Sequence, residues 1–409
     1  MVDISTFEAP SAAEAKSAAR AAAPAVSVAV SHDIGEVEAA WRALAAAGIA
    51  SPGQSFDFIR LWVYSLAIPA DEQFYVVASL DGRPAALLPL HRKRRGPVRL
   101  YSWFPGSHVG AGAPLVDAAR LAALLPEARA AFWRTVLQSL GGADLAFLQN
   151  IPALPEQPAD LFGGLGRALP AETLYRAHFA SWQDADTTQR SKSRRKHDRQ
   201  HTDKLNALGE VSFETIAGDH PDAPAVLDEM FRQRARRFEA MGVANPFAPA
   251  DIARFYRATI DPSTGVRVQL NVLKVDGAIV AVRYNIVEGD RLFCLISSMS
   301  DDERLQAGSP GKQCLLRVMQ TVFDEGFAVF DMGAGFTDEK RHWCNEQIPL
   351  ANHYAALSPL GSTAIALMLA WQATRTRIKS DPRLHRLVKT VRSRLGRKAS
   401  QQAAAAEAD

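Results

Sequence analysis

Apolar positions along the chain switch between two periods, and the order of the switches occurs twice. Val26 to Ser31 alternates as a strand does. Spacings of three and four through Val37, Trp41 and Leu44, then through Phe56, Ile59, Trp62 and Leu66, predict two helices. Phe74 to Leu80 and Ala85 to Leu90 predict a hairpin across Asp81-Gly82, a pair suited to a turn that needs positive φ. A third strand is predicted near Val98 to Phe104, a long helix over about 118–140, and a strand from Asp144 to Leu148. The second half repeats the order. Val211 to Ile216 predicts a strand, and helices follow over about 223–240 and 249–260. Strands Val268 to Val275, Ala278 to Val287 and Arg291 to Met299 are separated by Asp276-Gly277 and Gly289-Asp290. A helix from about Pro310 to Glu325 precedes a strand from Phe327 to Asp331.

Asp81-Gly82 and Asp276-Gly277 lie 195 residues apart, a period that means a duplicated domain rather than a solenoid. Strand, two helices, three-strand meander, helix, strand predicts an α/β chain whose mixed sheets are covered by helices. The expected division is a disordered Ala-rich start at 1–25, one domain at 26–180 and a second at 181–358. A basic helical segment at 359–398 and a disordered tail at 399–409 complete it.

Hydrophobic residues are 47% and charged residues 22% of 409, enough apolar material for real cores. The longest apolar run near the end, Ala364 to Trp371, is too short to cross a bilayer. The start carries Asp3, Glu8 and Glu14 where a secretion signal is basic. Cys294, Cys314 and Cys344 show neither metal spacing nor disulfide arithmetic, as befits free thiols in a cytoplasmic protein. The net charge of +3 hides a segregation. Residues 372–398 hold ten Lys/Arg against Asp381 alone, and residues 190–204 hold seven against Asp198 and Asp203. In 372–398, Ile378, Leu384, Leu387, Val388, Val391 and Leu395 fall on one helical face. Such a helix either docks on the second domain or lies on an anionic membrane, which would place the protein on the inner membrane face.

The most informative loop is Gln306-Ala307-Gly308-Ser309-Pro310-Gly311-Lys312, between a strand and a helix. Ser309 suits an N-cap and Pro310 the first helical position. Gly308 and Gly311 leave the backbone bare, and the helix N-terminus adds partial positive charge, so the loop reads as a phosphate seat with Lys312 beside it. A well-capped ordinary helix is the alternative. A nucleotide P-loop fails at Gln306 and at Gln313, and neither a dinucleotide Gly-x-Gly-x-x-Gly, a zincin motif nor a nucleophile elbow is present. His197 and His201 are four apart, but among Arg194, Arg195, Lys196 and Arg199 they do not invite a metal.

The unit Ser309-Pro310-Gly311, then Phe327 to Asp331, then Gly333 to Lys340 and Trp343, resembles the cellulose-biosynthesis (CelD/BcsL-like) acetyltransferases. These belong to the GNAT acyl-CoA N-acyltransferase superfamily and are distant relatives of the Fem-type peptidyltransferases. The basic stretch Arg194-Arg195-Lys196-His197-Asp198-Arg199 resembles the Arg-rich opening of their second domain. The resemblance spans about residues 30–358 and implies tandem GNAT folds, with acetyl-CoA or another acyl-CoA as co-substrate in the second. It also implies pantetheine on a splayed strand edge and pyrophosphate on the 308–312 loop. Two departures matter. Glu339 stands where the family often has Tyr before the Lys. The first half has His108-Val109-Gly110-Ala111-Gly112-Ala113 and no Ser-Pro-Gly loop, so it is expected to be non-catalytic and to shape the acceptor pocket.

Acyl transfer to an amine or hydroxyl needs a deprotonated acceptor, a stabilised oxyanion and a protonated leaving thiol. Asp331, at the end of the strand after the seat, is the first candidate base; a cap on Gly333-Ala334-Gly335 is its other reading. Glu339 is the second. Lys340 is a candidate to touch an anionic substrate or pair with Asp331, and Trp343 reads as core. The expected function is transfer from acyl-CoA to a small-molecule or saccharide acceptor, in polysaccharide or cell-envelope biosynthesis by resemblance alone. A Fem-like transferase using aminoacyl-tRNA on the 190–204 helix, or an inactive scaffold, are the alternatives.

Overall fold

In the computed structural model, which describes residues 24–380, Asp81 and Gly82 adopt φ of 50° and 75°, and Asp276 and Gly277 adopt 48° and 76°. Each aspartate does a second job. Its Oδ1 accepts an N–H from the residue preceding the neighbouring edge strand, Ala25 in one half (2.9 Å) and Glu210 in the other (2.7 Å). The same clasp at both turns is the duplication seen at atomic scale.

The elements run β1 (Val26–Ser31), α1 (Glu38–Ala45), α2 (Phe56–Ser65), β2 (Gln73–Leu80), β3 (Arg83–Arg95), β4 (Val98–Trp103) and β5 (Leu115–Val116). Then come α3 (Ala118–Ala122), α4 (Pro126–Gln138), β6 (Leu145–Pro152), β7 (Arg167–His178), α5 (Trp182–Gln189) and α6 (Lys192–Asn206). The second half continues with β8 (Val211–Ala217), α7 (Ala223–Ala240), α8 (Ala250–Ala258), β9 (Val268–Val275), β10 (Ala278–Glu288) and β11 (Arg291–Met299). It closes with α9 (Glu303–Gln306), α10 (Pro310–Thr321), β12 (Val329–Ala334), α11 (Asp338–Trp343), β13 (Glu346–Ala356) and α12 (Pro359–Ser380). The long helix expected over 118–140 is two. Pro126 has no N–H to continue a helix and instead opens α4.

The mixed sheet expected of each half is there, but the halves are joined. One 13-stranded sheet runs β1-β2-β3-β4-β6-β13-β7-β12-β11-β10-β9-β8, with β5 paired to β3 off this path. β4 with β6 and β11 with β12 are parallel, and the other neighbours are antiparallel. β7 and β13 cross over: β13 from late in the chain pairs with β6, and β7 from the middle pairs with β12. The halves also share a core. Phe58 and Trp62 of α2 meet Phe255 of α8 with ring centroids 5.1 and 4.9 Å apart, and all three are buried. On the opposite face α4 (Phe132, Trp133, Val136) and α10 (Leu315, Val318, Met319) cover the sheet separately.

Among the described residues no helix is long and apolar enough to cross a membrane. The Ala-rich start through residue 23 and residues 381–409 lie outside the described residues, and with them most of the basic tail and its membrane face.

Candidate active site

β11 and β12 pair over only three residues, Arg291↔Val329, Leu292↔Phe330 and Phe293↔Asp331. Beyond that they part, because β12 kinks. Gly333 takes φ of 78°, and the pairing of β12 with β7 slips between Asp331 and Ala334. β11 carries its own irregularity at the same level. Leu295 is an extra residue between the pairs Tyr284↔Ile296 and Asn285↔Cys294. A bulge there re-aims the strand, and from Cys294 to Met299 no strand among the described residues lies opposite the side of β11 that faced β12.

A cavity of about 400 Å³ opens at this parting, lined among others by Cys294, Ser297, Met299, Gly311, Lys312, Met332 and Thr337. Gly311 and Lys312 at the N-terminus of α10 line it, which brings the expected loop to the edge of the cavity. Its details differ from expectation. Ser309 makes no side-chain cap; it sits in the left-handed region (φ 49°, ψ 64°) and its carbonyl accepts the N–H groups of Lys312 (2.9 Å) and Gln313 (3.1 Å). Gly308 is bare to admit Leu205 of α6, whose Cδ2 would lie 2.5 Å from a Cβ. Gly311 faces Met299 Sδ, 3.1 Å from a Cβ position. Both glycines therefore serve packing. The amides of Gly308 and Ser309 donate to Leu305 and Gln306 carbonyls, which leaves the Gly311 N–H without a partner among the described residues. With Pro310 lacking an N–H, what the loop offers an anion is one amide, the helix dipole and the exposed Lys312 ammonium.

Asp331 is not at a strand end but inside β12, 4% exposed. Its Oδ2 accepts from Arg176 Nε at 2.8 Å and its Oδ1 from the Gly333 N–H at 2.8 Å. Arg176, also buried, donates from Nη2 to the Ala50 carbonyl at 3.0 Å. The carboxylate thus fixes the kink and ties β7, β12 and the loop after α1 together. Glu339 is engaged as well, by Arg194 Nη2 at 2.5 Å and by Lys312 Nζ at 3.3 Å. It links α6, α10 and α11. Lys340 makes no ion pair with Asp331 among the described residues; its ammonium donates to the carbonyls of Gly333 (3.3 Å) and Ala334 (2.6 Å). Burial holds its pKa below the ordinary lysine value. Trp343 is core, beside Trp182. Burial pushes the Cys314 thiol up to about 11 and Cys344 higher still, so neither is a ready nucleophile.

Two charged cavity residues have no counterpart among the sequence candidates, Arg237 and the buried Arg283. The signal for the second was present: Arg283 interrupts the apolar run of β10, where a charge must be buried. The His108–Ala113 loop of the first half presses on the kink from another side. A Cβ at Gly110 would stand 3.0 Å from the Ala334 nitrogen and 3.1 Å from Gly333 Cα. His197 and His201 stay near one another, ring centroids 6.4 Å apart, but among the described residues no three His, Cys, Asp or Glu gather as a metal site.

Residues 192–341 match the family model of an acetyltransferase (GNAT) domain. Over these residues the chain is similar to a GNAT domain. Such domains transfer acyl groups from acyl-CoA, and the matched segment holds the parted strands, α10 and the cavity. No curated protein sequence matches the chain. Among solved structures, the C-terminal domain of a protein from Agrobacterium fabrum assigned as a lysylphosphatidylglycerol synthetase is similar at 13% identity and TM-score 0.50. That match covers 82% of this chain and 95% of that one. FemX is similar at 10% identity and TM-score 0.47, covering 71% and 90%. A tandem GNAT protein of the clavulanic acid pathway follows at 13% identity and TM-score 0.44, covering 82% and 99%. At these identities the likeness concerns the fold alone.

Proposed function

We propose that this acyltransferase uses acetyl-CoA and moves its acyl group to an amine or hydroxyl on a small-molecule or saccharide acceptor. Its setting, on this reading, is polysaccharide or cell-envelope biosynthesis, as in the CelD/BcsL-like enzymes it resembles. One observation supports the reading most: the open side of β11 leads to Met299, and Met299 touches Gly311 at the start of α10. An extended pantetheine adds to such an edge as a strand would, and its pyrophosphate then meets the Gly311 N–H and Lys312. The co-substrate supplies the activated thioester.

The chain's own residues divide the remaining work. The bulge leaves Leu295 without a pairing partner on β10, and its N–H is assigned to the developing oxyanion. Lys340, with two carbonyls holding its ammonium and burial favouring proton loss, is assigned to protonate the departing thiolate. Asp331 and Glu339 are each held by cations, so they frame the cleft, and the acceptor loses its proton to water or arrives neutral. The tRNA-dependent alternative is weakened by the ion pairs of the basic segment. Arg190 and Arg195 engage Asp186, and Arg194 engages Glu339, which leaves Lys192, Lys196, Arg199 and Lys204 for a nucleic acid.

The test is thiol release from acetyl-CoA against panels of amines and saccharides. Lys340→Met is expected to lower kcat about 10²-fold and to move the alkaline limb of the pH profile, with acetyl-CoA affinity little changed. An unchanged kcat would remove Lys340 from the chemistry.

A further inference from the structure

A buried guanidinium without a carboxylate partner is costly, because its charge has left water and nothing repays the loss. Arg283 is in that position. It is 9% exposed, its Nε has no hydrogen-bond partner among the described residues, and its contacts are thiols, Nη1 to Cys294 Sγ at 3.6 Å with Cys314 close by. Among the described residues no Asp or Glu forms an ion pair with it, nor with Arg237, which lines the same cavity. The one carboxylate on the cavity wall, Glu339, is already held by Arg194 and Lys312.

Arg283 shares its cavity with Gly311 and Lys312, but its guanidinium is turned toward the other end. Gly311 meets Met299, whereas Arg283 meets Cys294, five residues back along β11. The Arg283 backbone pairs with Ser297, two residues from Met299, and its side chain leans back along β11 to reach Cys294. Cys294 is also the first residue beyond the last β11–β12 pair, Phe293↔Asp331. The guanidinium therefore stands at the parting of the strands, the end of the cleft where acyl carbon and acceptor would meet. A planar guanidinium matches an oxyanion in two-point geometry.

We infer that Arg283 is a specificity residue that binds an oxyanion, a carboxylate or phosphate, carried by one of the two reacting partners. The anion sits either on the acceptor or at the far end of the donor's acyl chain. The acyl-CoA reading is needed only to name these two sources; the anion site stands on Arg283 itself.

The experiment uses the full chain, wild type and Arg283→Met, a swap of similar length without charge, with Arg283→Lys as a charge-keeping control. Thermal unfolding and calorimetric titration are run with malonate and with inorganic phosphate at constant ionic strength, chloride serving as reference. Wild type is expected to bind one of the two beyond chloride, Arg283→Met at least tenfold more weakly, and Arg283→Lys in between. A second arm compares succinyl-CoA with acetyl-CoA. Tenfold tighter binding of succinyl-CoA in wild type, lost in Arg283→Met, assigns the anion to the acyl chain. Malonate or phosphate binding additively with acetyl-CoA assigns it to the acceptor. The inference is overturned if wild type prefers no oxyanion in either arm, or if Arg283→Met responds as wild type does. A wild type that ignores every acyl-CoA contradicts the acyl-CoA reading instead, and the malonate and phosphate titrations still decide the anion site.

Discussion

Replacing Asp331 by Asn separates a framing role from a catalytic one. The substitution keeps the size of the side chain and an oxygen for the Gly333 N–H, but removes the charge opposite Arg176. Both partners are buried (4% and 3% exposed), 2.8 Å apart, and Arg176 has no second carboxylate among the described residues. Removing one member of a buried pair costs about 3–5 kcal/mol. The surviving hydrogen bond puts Asp331→Asn near the lower end, about 3 kcal/mol. For a domain of a few hundred residues this lowers Tm by roughly 6–12 °C. The double replacement Arg176→Met with Asp331→Leu removes both charges and is expected to recover much of that loss, since apolar pairs often replace buried ion pairs without penalty. Thermal unfolding of the single and double variants, with turnover measured below both transitions, is the assay. An Asp331→Asn protein that melts like wild type yet turns over 10²-fold or more slowly would refute the framing role and make Asp331 the general base.

The shared core predicts that Phe255→Ala costs about 3–5 kcal/mol and lowers a single unfolding transition of the whole chain; two separate calorimetric transitions would show that the halves fold apart. Burial among Trp62, Phe247 and Tyr256 holds His108 down at about 4, against an ordinary value near 6.5. Between those values the unfolded chain binds a proton that the folded chain refuses, so stability falls as pH drops from about 6.5 to 4, by up to about 3 kcal/mol from this residue. His108→Gln should flatten that slope in chemical unfolding at stepped pH, and an unaltered slope would contradict the assignment.

The elements that were legible in the sequence are those whose signal is local. Asp81-Gly82 and Asp276-Gly277 demand one turn type whatever surrounds them, and the meanders followed from them. β7 and β13 were missed because Pro170 and Pro349 interrupt them and polar residues are scattered along both. The sheet tolerates those prolines near the slip in pairing between Pro349 and Ala351. Without those strands the crossover, and so the single sheet, could not be foreseen. The site shows the same division. The loop at 308–312 was legible as a helix entry beside a cleft, but the purpose of Gly308 depends on Leu205, a hundred residues away in sequence. Asp331 reads as a base until Arg176, 155 residues earlier, takes its place beside it.

Whether acyl-CoA lies along β11 with its pyrophosphate at Gly311, as proposed, is decided by thermal unfolding with acetyl-CoA. At 100 times its dissociation constant the ligand should stabilise wild type by about 2.7 kcal/mol. Gly311→Val places a branched side chain against the flexible Met299 and over that residue's N–H. It should melt close to wild type without ligand and lose the acetyl-CoA shift. Equal shifts in the two proteins, or none in wild type, would contradict the account.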